Sequence, residues 1–512
     1  MPMSSHDAHP ARPATLPQLC EAGDADQAAM VVPGGSEVTY AQFLQQSSEL
    51  AGQLRSAGVE AGDVVSMVLG NDLSFLHTFL AVSMVGATAA PLNPAYTIDE
   101  FRSFMDDASA KAAVLAPDAA AASEAATTLE IATLHAEARE DGATRLSRDG
   151  VVLAVSGTGA VAEPDLPALF LHTSGTTSRP KGVPLTHANL TLSARNIVST
   201  YELAPWDVAL CVMPLFHVHG LIGVALSTLA SGGTVVLPPR FSAGAFWPDV
   251  AARKPTWYSA VPTIHQILLR RAEDDGAPQG VFRFIRSCSA ALTPTLFAEL
   301  EERFEAPVLE AYGMTEAAHQ MASNPLPPGA RLAGTVGFGT GVEVSIADER
   351  GKLLEQGSVG EVVIRGPNVM QGYRNNPEAN AASFVEGWFR TGDQGCMEAT
   401  GHLRLTGRLK ELINRGGEKI SPLEVDAVLA EHPAVAEAIS FGIADPMYGE
   451  EVHAAVVLGG KATGAELERF CKERLAAFKV PKVFHVVDAL PRTATGKIQR
   501  RQVAASLTQQ EA

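Results

Sequence analysis

The sequence has little of several features that would assign it to a specialised class of protein. Its five cysteines are scattered over 512 residues, which excludes a disulfide framework or a zinc ribbon. No uninterrupted apolar run reaches the roughly 18 residues of a membrane span. The N-terminus lacks a charged leader followed by an apolar segment, and the final Gln510, Glu511 and Ala512 form no peroxisomal signal. We therefore expect a protein of the reducing cytoplasm.

Positive charge is also scarce. Lys and Arg number 39 against 57 Asp and Glu, which gives a formal net charge of −18. Such a surface repels phosphate backbones and anionic lipids, so we expect no nucleic-acid partner and no membrane partner. An anionic substrate must then find a local positive pocket. We expect a monomer or a weak homo-oligomer that acts on small molecules.

Helical and strand-like segments alternate in the first part of the chain. Thr39 and Gln42 can form a capping box for a helix over 39–54, and the following segments predict an α/β sheet with crossover helices. Gly- and Pro-rich turns from Ser287 to about Gly366 indicate β-structure rather than crossover helices. A smaller unit with two helices and strand-like runs begins near Gly407. The other segments of the α/β alternation are predicted as strands at 63–69, 87–91 and 112–115 and helices at 73–85 and 101–108.

A phosphate-binding loop is indicated at 173–182. An apolar run leads into glycine and hydroxyl residues, whose backbone N–H groups and hydroxyls can hold phosphate, and Lys181 adds positive charge. Gly182 follows Lys181, so this is not a Walker loop, which needs Ser or Thr there. A flexible linker is the alternative that the composition leaves open. The loop residues are Thr173, Ser174, Gly175, Thr176 and Thr177.

Further motifs follow this loop in a fixed order: Tyr-Gly-Met-Thr-Glu at 312–316, Gly-Trp-Phe-Arg-Thr-Gly-Asp at 387–393, Gly-Arg-Leu-Lys-Glu at 407–411 and a Thr-Gly-Lys loop at 491–497. Together they resemble the adenylate-forming superfamily of acyl-CoA ligases, luciferases and peptide-synthetase adenylation domains, from about Thr39 to Arg501. The resemblance implies a large N-terminal adenylation domain (1–406) with α/β sheets and a β-rich subdomain. It also implies a hinge (407–410) and a small mobile α+β C-terminal domain (411–512) that carries the catalytic lysine. ATP and coenzyme A would be substrates, and Mg²⁺ a cofactor.

The resemblance implies roles in the transfer of the acid to AMP. Lys497 would bridge the substrate carboxylate and the α-phosphate, while Lys181 and the 173–177 loop would hold the other phosphates. Glu316, together with Thr177, would hold Mg²⁺. Thr315 would donate a hydrogen bond to the α-phosphate. A solvated loop lysine is the alternative for Lys497.

Contacts to the nucleoside follow from the same resemblance. Tyr312 would stack on adenine, with a packed core aromatic as its alternative. Asp393 would accept hydrogen bonds from the ribose hydroxyls, and Arg408 would donate to the ribose. Gly313 stands where some relatives carry alanine, and we expect that exchange to be neutral. The other expected nucleotide contacts are Ser289 and Ala290.

The thiol of coenzyme A must enter the region that Lys497 occupies during adenylation. Members of the superfamily rotate the small domain about the hinge, which would centre here on Lys410. That rotation would present Gly416, Gly417 and Glu418 to a pantetheine tunnel. A tight turn without a ligand is the alternative.

Polar side chains replace apolar ones in the expected acyl pocket. His219 and His319 stand where members that take aromatic or fatty acids have apolar residues. With His217, also a candidate catalytic residue, and with Arg286 and Ser289, they suit a carboxylate. Core histidines held by the backbone and a His-x-His metal site are the alternatives.

Three runs, 213–220, 286–289 and 414–422, resemble members of the superfamily that activate oxalate. We therefore expect oxalate as the acid, with malonate or another short acid as the alternative. An adenylation module that serves a carrier protein would need a thiolation domain, and none is expected after Arg501. A non-catalytic binding protein is the third functional hypothesis. Such a protein should have lost Lys497, Glu316 or Asp393, and all three are present.

Overall fold

The computed structural model describes residues 14–157, 162–173, 180–492 and 498–508. Within these ranges the strands form sheets of nine, eight, five and five strands. Helices cover the two larger sheets, so the predicted α/β fold class is confirmed. In the same ranges no helix combines the length and the apolar character needed to cross a membrane.

The eight-stranded sheet carries the predicted alternation of strands and helices. Its central strand Val64–Val68 is buried along its whole length, as expected for a parallel strand covered on both faces. In spatial order the strands are Lys181–Thr186, Pro167–Thr173, Thr88–Pro91, Val64–Val68, Ala112–Leu115, Ala132–Ala138, Thr144–Arg148 and Val151–Val152. The helices of this segment of the chain are Tyr40–Ser56, Leu73–Val85, Ile98–Asp107 and Ala120–Thr128.

The nine-stranded sheet supplies the strands that end at the candidate site. In spatial order these are Phe338–Gly339, His319–Ser323, Val308–Met314, Phe284–Ser287, Trp257–Ala260, Val208–Leu210, Thr234–Val236, Ala28–Val31 and Glu37–Thr39. The helices and helical turns outside the alternation just described, up to residue 317, are Leu16–Cys20, His187–Tyr201, Val218–Gly220, Leu221–Leu226 (a π-helix), Ser227–Ala230, Ala243–Arg253, Pro262–Arg271, Pro294–Phe304 and Thr315–Ala317 (a 3₁₀-helix).

The segment from Ser287 to Gly366 contains a crossover helix that the sequence reading missed. Pro294–Phe304 connects Phe284–Ser287 to Val308–Met314, and these strands pair in parallel. To run parallel to the first strand, the second strand must start at the same end of the sheet. A crossover helix brings the chain back to that end, whereas a hairpin joins antiparallel strands. The expectation of β-structure is therefore wrong at this helix, and it is confirmed for the strands Glu343–Ala347 and Val359–Arg365.

The two five-stranded sheets follow one another along the chain. The first contains Glu343–Ala347, Val359–Arg365, Phe384–Val385, Trp388–Met397 and Leu403–Arg408, with the helix Pro377–Ser383. The second contains Ile413–Arg415, Glu418–Ile420, Val435–Asp445, Gly449–Leu458 and Val483–Val486, with the helices Pro422–Ala430, Gly464–Lys472, Ala477–Lys479 (3₁₀) and Arg500–Thr508. We call residues 14–408 the large unit and residues 413–508 the small unit. The predicted hinge at 407–410 falls where the chain passes between these sheets, and the domain bounds stay predictions.

A continuous apolar core joins the two large sheets. Leu169 from the eight-stranded sheet and Trp257 from the nine-stranded sheet belong to the same buried cluster, together with Phe79 and Leu215. Dense packing of this kind resists relative movement of the elements it joins. The strand ends that carry the candidate site are therefore held on a rigid support.

Candidate active site

Three adjacent parallel strands of the nine-stranded sheet end at the same edge. They are Trp257–Ala260, Phe284–Ser287 and Val308–Met314, and the register pairs Ser259 with Arg286. Ligands of open α/β sheets bind outside the carboxyl ends of such strands. This edge is therefore the candidate active site.

Arg286 is the most deeply buried charged residue of this edge. Its side chain has no exposed surface, and its guanidinium donates to Tyr201 Oη (2.8 Å), Ser259 Oγ (3.0 Å), His319 Nε2 (2.8 Å) and Gln320 Oε1 (2.9 Å). All four partners are uncharged acceptors. No Asp or Glu among the described residues forms an ion pair with this guanidinium, so its positive charge lacks a local carboxylate partner.

The two pocket histidines lie directly in front of Arg286. The rings of His219 and His319 are stacked, with centroids 5.3 Å apart and planes 20° from parallel. Serine hydroxyls engage both nitrogens of His219: Ser259 Oγ lies 2.7 Å from Nε2 and Ser289 Oγ lies 3.0 Å from Nδ1. The backbone N–H of His219 donates to Nδ1 of His217, and the His217 side chain is half-buried.

The expectation that Arg286 contacts the substrate stays a prediction. Arg286 lies behind His319 and Ser259, and its N–H groups already donate to protein acceptors. Ser289 stands in front of His219 and is only half-buried. Of the two side chains, Ser289 is the more exposed and Arg286 is the more deeply buried.

Ser289 and His319 have the largest positive φ values of the non-glycine residues in the described part of the chain. Ser289 has φ +75° and His319 has φ +94°, a region that residues with a Cβ rarely adopt. Such conformations cost of order 1–3 kcal/mol each and gather at functional sites. The unusual backbone conformations of Ser289 and His319 therefore agree with a functional role for this pocket.

Two glycines make room for His319. A Cβ on Gly313 would lie 2.2 Å from the carbonyl oxygen of His319, and a Cβ on Gly223 would lie 2.4 Å from its Nε2. Gly223 belongs to the π-helix Leu221–Leu226, a form of helix that recurs at functional sites. The contact at Gly313 involves backbone, which cannot turn away as a side chain can. It contradicts the expectation that alanine would be neutral there.

The expected nucleoside residues come together from three separate motifs. The hydroxyl of Tyr312 donates to Asp393 Oδ2, and Arg408 Nε lies 3.1 Å from Asp393 Oδ1. Burial, and next the charge of Asp393, raise the pKa of Tyr312 well above its ordinary value. The pKa of Arg408 is raised chiefly by Asp393. Asp393 is buried and is held as an oriented acceptor.

The phosphate and metal motifs also meet. Lys181 Nζ lies 4.4 Å from the centroid of the Tyr373 ring, and Tyr373 Oη donates to Glu316 Oε1 (2.8 Å). Burial raises the pKa of Glu316. The pKa of Lys181 is lowered by burial and by the neighbouring charge of Lys410, against the opposing effect of Glu316. Tyr373 was missed by the sequence reading because it lies 57 positions from Glu316 and in none of the quoted motifs.

Several expected residues lie outside the described ranges, namely Ser174, Gly175, Thr176, Thr177 and Lys497. The residues that flank them are placed. Thr173 ends one strand and Lys181 begins its antiparallel neighbour, and the two are paired. Arg492 and Ile498 form a β-bridge across the lysine loop.

Arg492 also connects the two units. It donates through Nη1 to Thr263 Oγ1 (2.7 Å) at the start of the helix Pro262–Arg271, and through Nη2 to Glu437 (2.7 Å) of the small unit. That helix directly follows the strand that carries Ser259. The base of the lysine loop therefore lies against the large unit beside the candidate site.

The expected coenzyme A turn lies at an exposed tip of the small unit. Gly416 and Gly417 have φ +60° and +95° in the turn between Ile413–Arg415 and Glu418–Ile420. The N–H of Gly416 donates to the carbonyl of Tyr448 (2.7 Å), and Glu418 is exposed. The remaining expected residues, Ala290 and Lys410, are exposed, and Thr315 is half-buried beside Glu316.

Comparison with known proteins assigns the family. The family model described as AMP-binding enzyme matches residues 20–374. The family model described as AMP-binding enzyme C-terminal domain matches residues 424–497. The first match covers well over half of the sequence. The chain therefore belongs to the AMP-binding enzyme family.

Individual relatives are similar over nearly the whole chain. Oxalate–CoA ligase from Arabidopsis thaliana is 50% identical and the alignment covers 94% of this chain and 95% of the relative. Oxalate–CoA ligase from Saccharomyces cerevisiae is 44% identical with 94% of each chain covered. The crystal structure of ATP-bound MatB from Rhodopseudomonas palustris has a TM-score of 0.88 at 30% identity and covers 98% of this chain and 100% of that chain.

The close approach at Gly313 generates a first prediction. Gly313→Ala is expected to lower the free energy of unfolding by about 1–3 kcal/mol, the usual cost of overpacking, because the new methyl group meets the backbone of His319. Thermal unfolding of the two proteins measures it. The matched control is Gly244→Ala, which adds a methyl group on a helix with no atom within 4 Å. If both variants were as stable as the parent, the close approach would not constrain the site.

A second prediction concerns Asp393. Asp393→Ala is expected to raise the KM for ATP by about 10–100-fold, because charge-assisted hydrogen bonds to the ribose are worth about 1.5–3 kcal/mol. Initial rates of pyrophosphate release at varied ATP check it. Asp275→Ala, which removes a surface ion pair with Arg271, serves as the control and should leave KM unchanged. An unaltered KM in Asp393→Ala would remove the ribose assignment.

Proposed function

We propose that this protein is an ATP-dependent ligase that converts oxalate and coenzyme A to oxalyl-CoA, AMP and pyrophosphate through an acyl-adenylate. The observation that carries the proposal is the buried guanidinium of Arg286, whose hydrogen-bond partners among the described residues are uncharged. A buried charge without a counter-ion is costly. A second carboxylate on the substrate would supply that counter-charge.

The relatives support the same choice of acid. Two of them, 50% and 44% identical over nearly the whole chain, are oxalate–CoA ligases. The hydroxyl of Ser289 and the imidazoles of His217 and His319 are the groups proposed to contact the distal carboxylate. His219 and Arg286 would act through them. The pocket is polar where an aromatic or fatty acid would need apolar walls.

The adenylation step requires two anions to approach one another. A carboxylate oxygen attacks the α-phosphorus of ATP, the bond to the β-phosphate oxygen breaks, and pyrophosphate leaves. Lys497 is proposed to bridge the attacking carboxylate and the α-phosphate, with Thr315 as a further donor. Lys181 and the 173–177 loop are proposed to hold the β- and γ-phosphates. Asp393 and Arg408 would orient the ribose.

Mg²⁺ fits the described residues through Glu316. This buried carboxylate lies beside Lys181 and is oriented by Tyr373, and a magnesium ion suits one carboxylate together with phosphate oxygens. Among the described residues no group of three or more His, Cys, Asp or Glu side chains could hold a metal alone. That finding gives no support to a His-x-His metal site. Thr177 is the second proposed ligand, and the ion would neutralise phosphate charge.

Thioester formation is proposed to follow a rotation of the small unit. The contact from Arg492 to Thr263 holds the residue that precedes the lysine loop against the large unit, which suits adenylation. In this arrangement Gly416, Gly417 and Glu418 are exposed to solvent. Rotation about Lys410 would bring this turn to the pantetheine and remove Lys497, so that the thiol can attack the acyl carbonyl and release AMP.

A ligase for malonate or another short acid is the second candidate within the same chemistry. A longer diacid would carry its second carboxylate further from the reacting carbon. An adenylation module for a carrier protein and a non-catalytic binding protein would both fail to form a thioester with free coenzyme A. Assaying AMP formation with and without coenzyme A separates these classes.

The acid specificity is tested on the pocket histidines. With oxalate, His219→Ala and His319→Ala should each cost about 2–5 kcal/mol in catalytic efficiency, because a buried anion loses part of its hydrogen-bonded support. With propionate the loss should be much smaller, since the enlarged pocket is also less polar. Pyrophosphate release from oxalate, malonate and propionate measures this. His135→Ala, on a strand of the other large sheet, is the control. Parallel losses on oxalate and propionate would remove the dianion pocket.

The role of Lys497 is tested on separate half-reactions. Lys497→Ala should lower adenylate formation by at least about 10²–10³-fold, because it removes the donor that stabilises charge in transfer. Thioester formation from supplied oxalyl-AMP should stay largely intact. Lys472→Ala, which removes an exposed lysine of the small unit, is the control for both steps. Equal loss of both half-reactions in Lys497→Ala would contradict the alternation between arrangements.

A further inference from the structure

A chain of hydrogen bonds leads from the buried guanidinium to the front of the pocket. Arg286 Nη1 donates to Ser259 Oγ (3.0 Å), which lies 2.7 Å from His219 Nε2. His219 Nδ1 in turn lies 3.0 Å from Ser289 Oγ. Each group in this chain can donate or accept, except the guanidinium at its start. The guanidinium favours one direction for the later bonds, because a hydroxyl that accepts from a cation becomes a stronger donor.

The branch to His319 is fixed by chemistry alone. Arg286 Nη2 lies 2.8 Å from His319 Nε2, and a guanidinium offers donors and no acceptor. Nε2 of His319 must therefore accept the bond with its lone pair. The ring proton of the neutral imidazole is then on Nδ1, the nitrogen that lies beside Gly313.

The branch through Ser259 sets the second histidine. Because Ser259 Oγ accepts an N–H from a cation, its own hydroxyl becomes a stronger donor. That single proton points to His219 Nε2, the nitrogen 2.7 Å away. The proton of His219 then lies on Nδ1 and is donated to Ser289 Oγ. Ser289 keeps its own hydroxyl proton for the substrate.

We propose that Arg286 is a positioning residue that fixes the protons of His219 and His319, so that Ser289 offers a donor to the acid. The inference rests on the proposed function and refines its substrate class. The acid selected is one whose distal group only accepts hydrogen bonds, as a carboxylate does. An acid whose distal group carries N–H is rejected.

If the hydrogen bonds between Arg286 and Ser289 ran in the opposite direction, the preference for a carboxylate over an amide would be reversed. If the proton of His219 were on Nε2, Ser289 would donate to Nδ1 and would offer the substrate only lone pairs. A carboxylate would then face an acceptor, whereas an amide N–H would find a partner. Oxamate, in which an amide replaces one carboxylate of oxalate at nearly the same size, is therefore the probe that reads the direction of the chain.

The proton positions are measured by ¹⁵N NMR of the full-length enzyme with labelled histidine. Signals are assigned with His219→Gln and His319→Gln. In the parent, both rings should carry the proton on Nδ1. Ser259→Ala should change the pattern of His219 and leave that of His319, which Arg286 contacts directly. Arg286→Lys should change both.

The selectivity is measured as the ratio of kcat/KM for oxalate to that for oxamate in pyrophosphate release. Ser259→Ala should lower this ratio about tenfold, the effect of one hydrogen bond whose direction is no longer imposed. The matched control is Ser287→Ala, on the same strand as Arg286, whose buried hydroxyl has no hydrogen-bond partner in the described part of the chain. It should leave both the ratio and the NMR pattern unchanged.

The outcomes separate this inference from the proposed function. A proton on Nε2 of His219 or of His319 in the parent would overturn the inference, whatever acid is used. A parallel loss on oxalate and oxamate in Ser259→Ala, with the ratio unchanged, would also overturn it and show a structural role. A parent that releases no pyrophosphate with oxalate would overturn the proposed substrate, and the NMR result would still decide the proton positions.

Discussion

The positive charge of Arg286 beneath the acyl pocket is the constraint on which the site depends. The sheet places this residue beside Ser259 through parallel register, and Tyr201 and Gln320 hold the guanidinium from the other side. Its uncharged partners accept from the N–H groups, and in the described part of the chain no Asp or Glu forms an ion pair with the guanidinium. Burial of such a charge is unfavourable in the free protein. The stacked histidines, the positive φ of Ser289 and His319 and the close approach of Gly313 all lie at this pocket, and they fit the small anionic ligand proposed for it.

Positive charge is also found elsewhere in the candidate site. The protein carries a net charge of −18. Even so, Lys181 and Arg408 both lie close enough to Glu316 to influence its pKa, and Arg286 is buried at the strand ends. A local positive field in an acidic protein concentrates anions at one place on the surface. Lys181 and its lowered pKa fit the phosphate end, and Arg286 fits the acyl end. Arg492, which precedes the proposed catalytic Lys497 in the sequence, is held by its contact with Thr263.

Local motifs allowed part of this site to be predicted from the sequence. The helix Tyr40–Ser56 has the capping box expected at Thr39, and Tyr312, Asp393 and Arg408 meet as their motifs suggested. Contacts that depend on long-range packing were not predictable in the same way. Ser259, Tyr201 and Tyr373 come from elements without a recognisable motif, and the depth of Arg286 depends on strand order. The crossover helix Pro294–Phe304 was missed because its apolar positions lie among Gly- and Pro-rich segments that favoured β-structure.

The central claim is that a second carboxylate of the acid compensates the buried charge through the donors in front of it. A crystal structure of the enzyme with oxalate and a non-hydrolysable ATP analogue tests it most directly. We expect the distal carboxylate of oxalate within hydrogen-bond distance of Ser289 Oγ, with Arg286 still bound to Ser259 and His319 and not to the ligand. Oxalate bound directly to the guanidinium of Arg286, or bound with both carboxylates away from Ser289 and the histidines, would contradict the account.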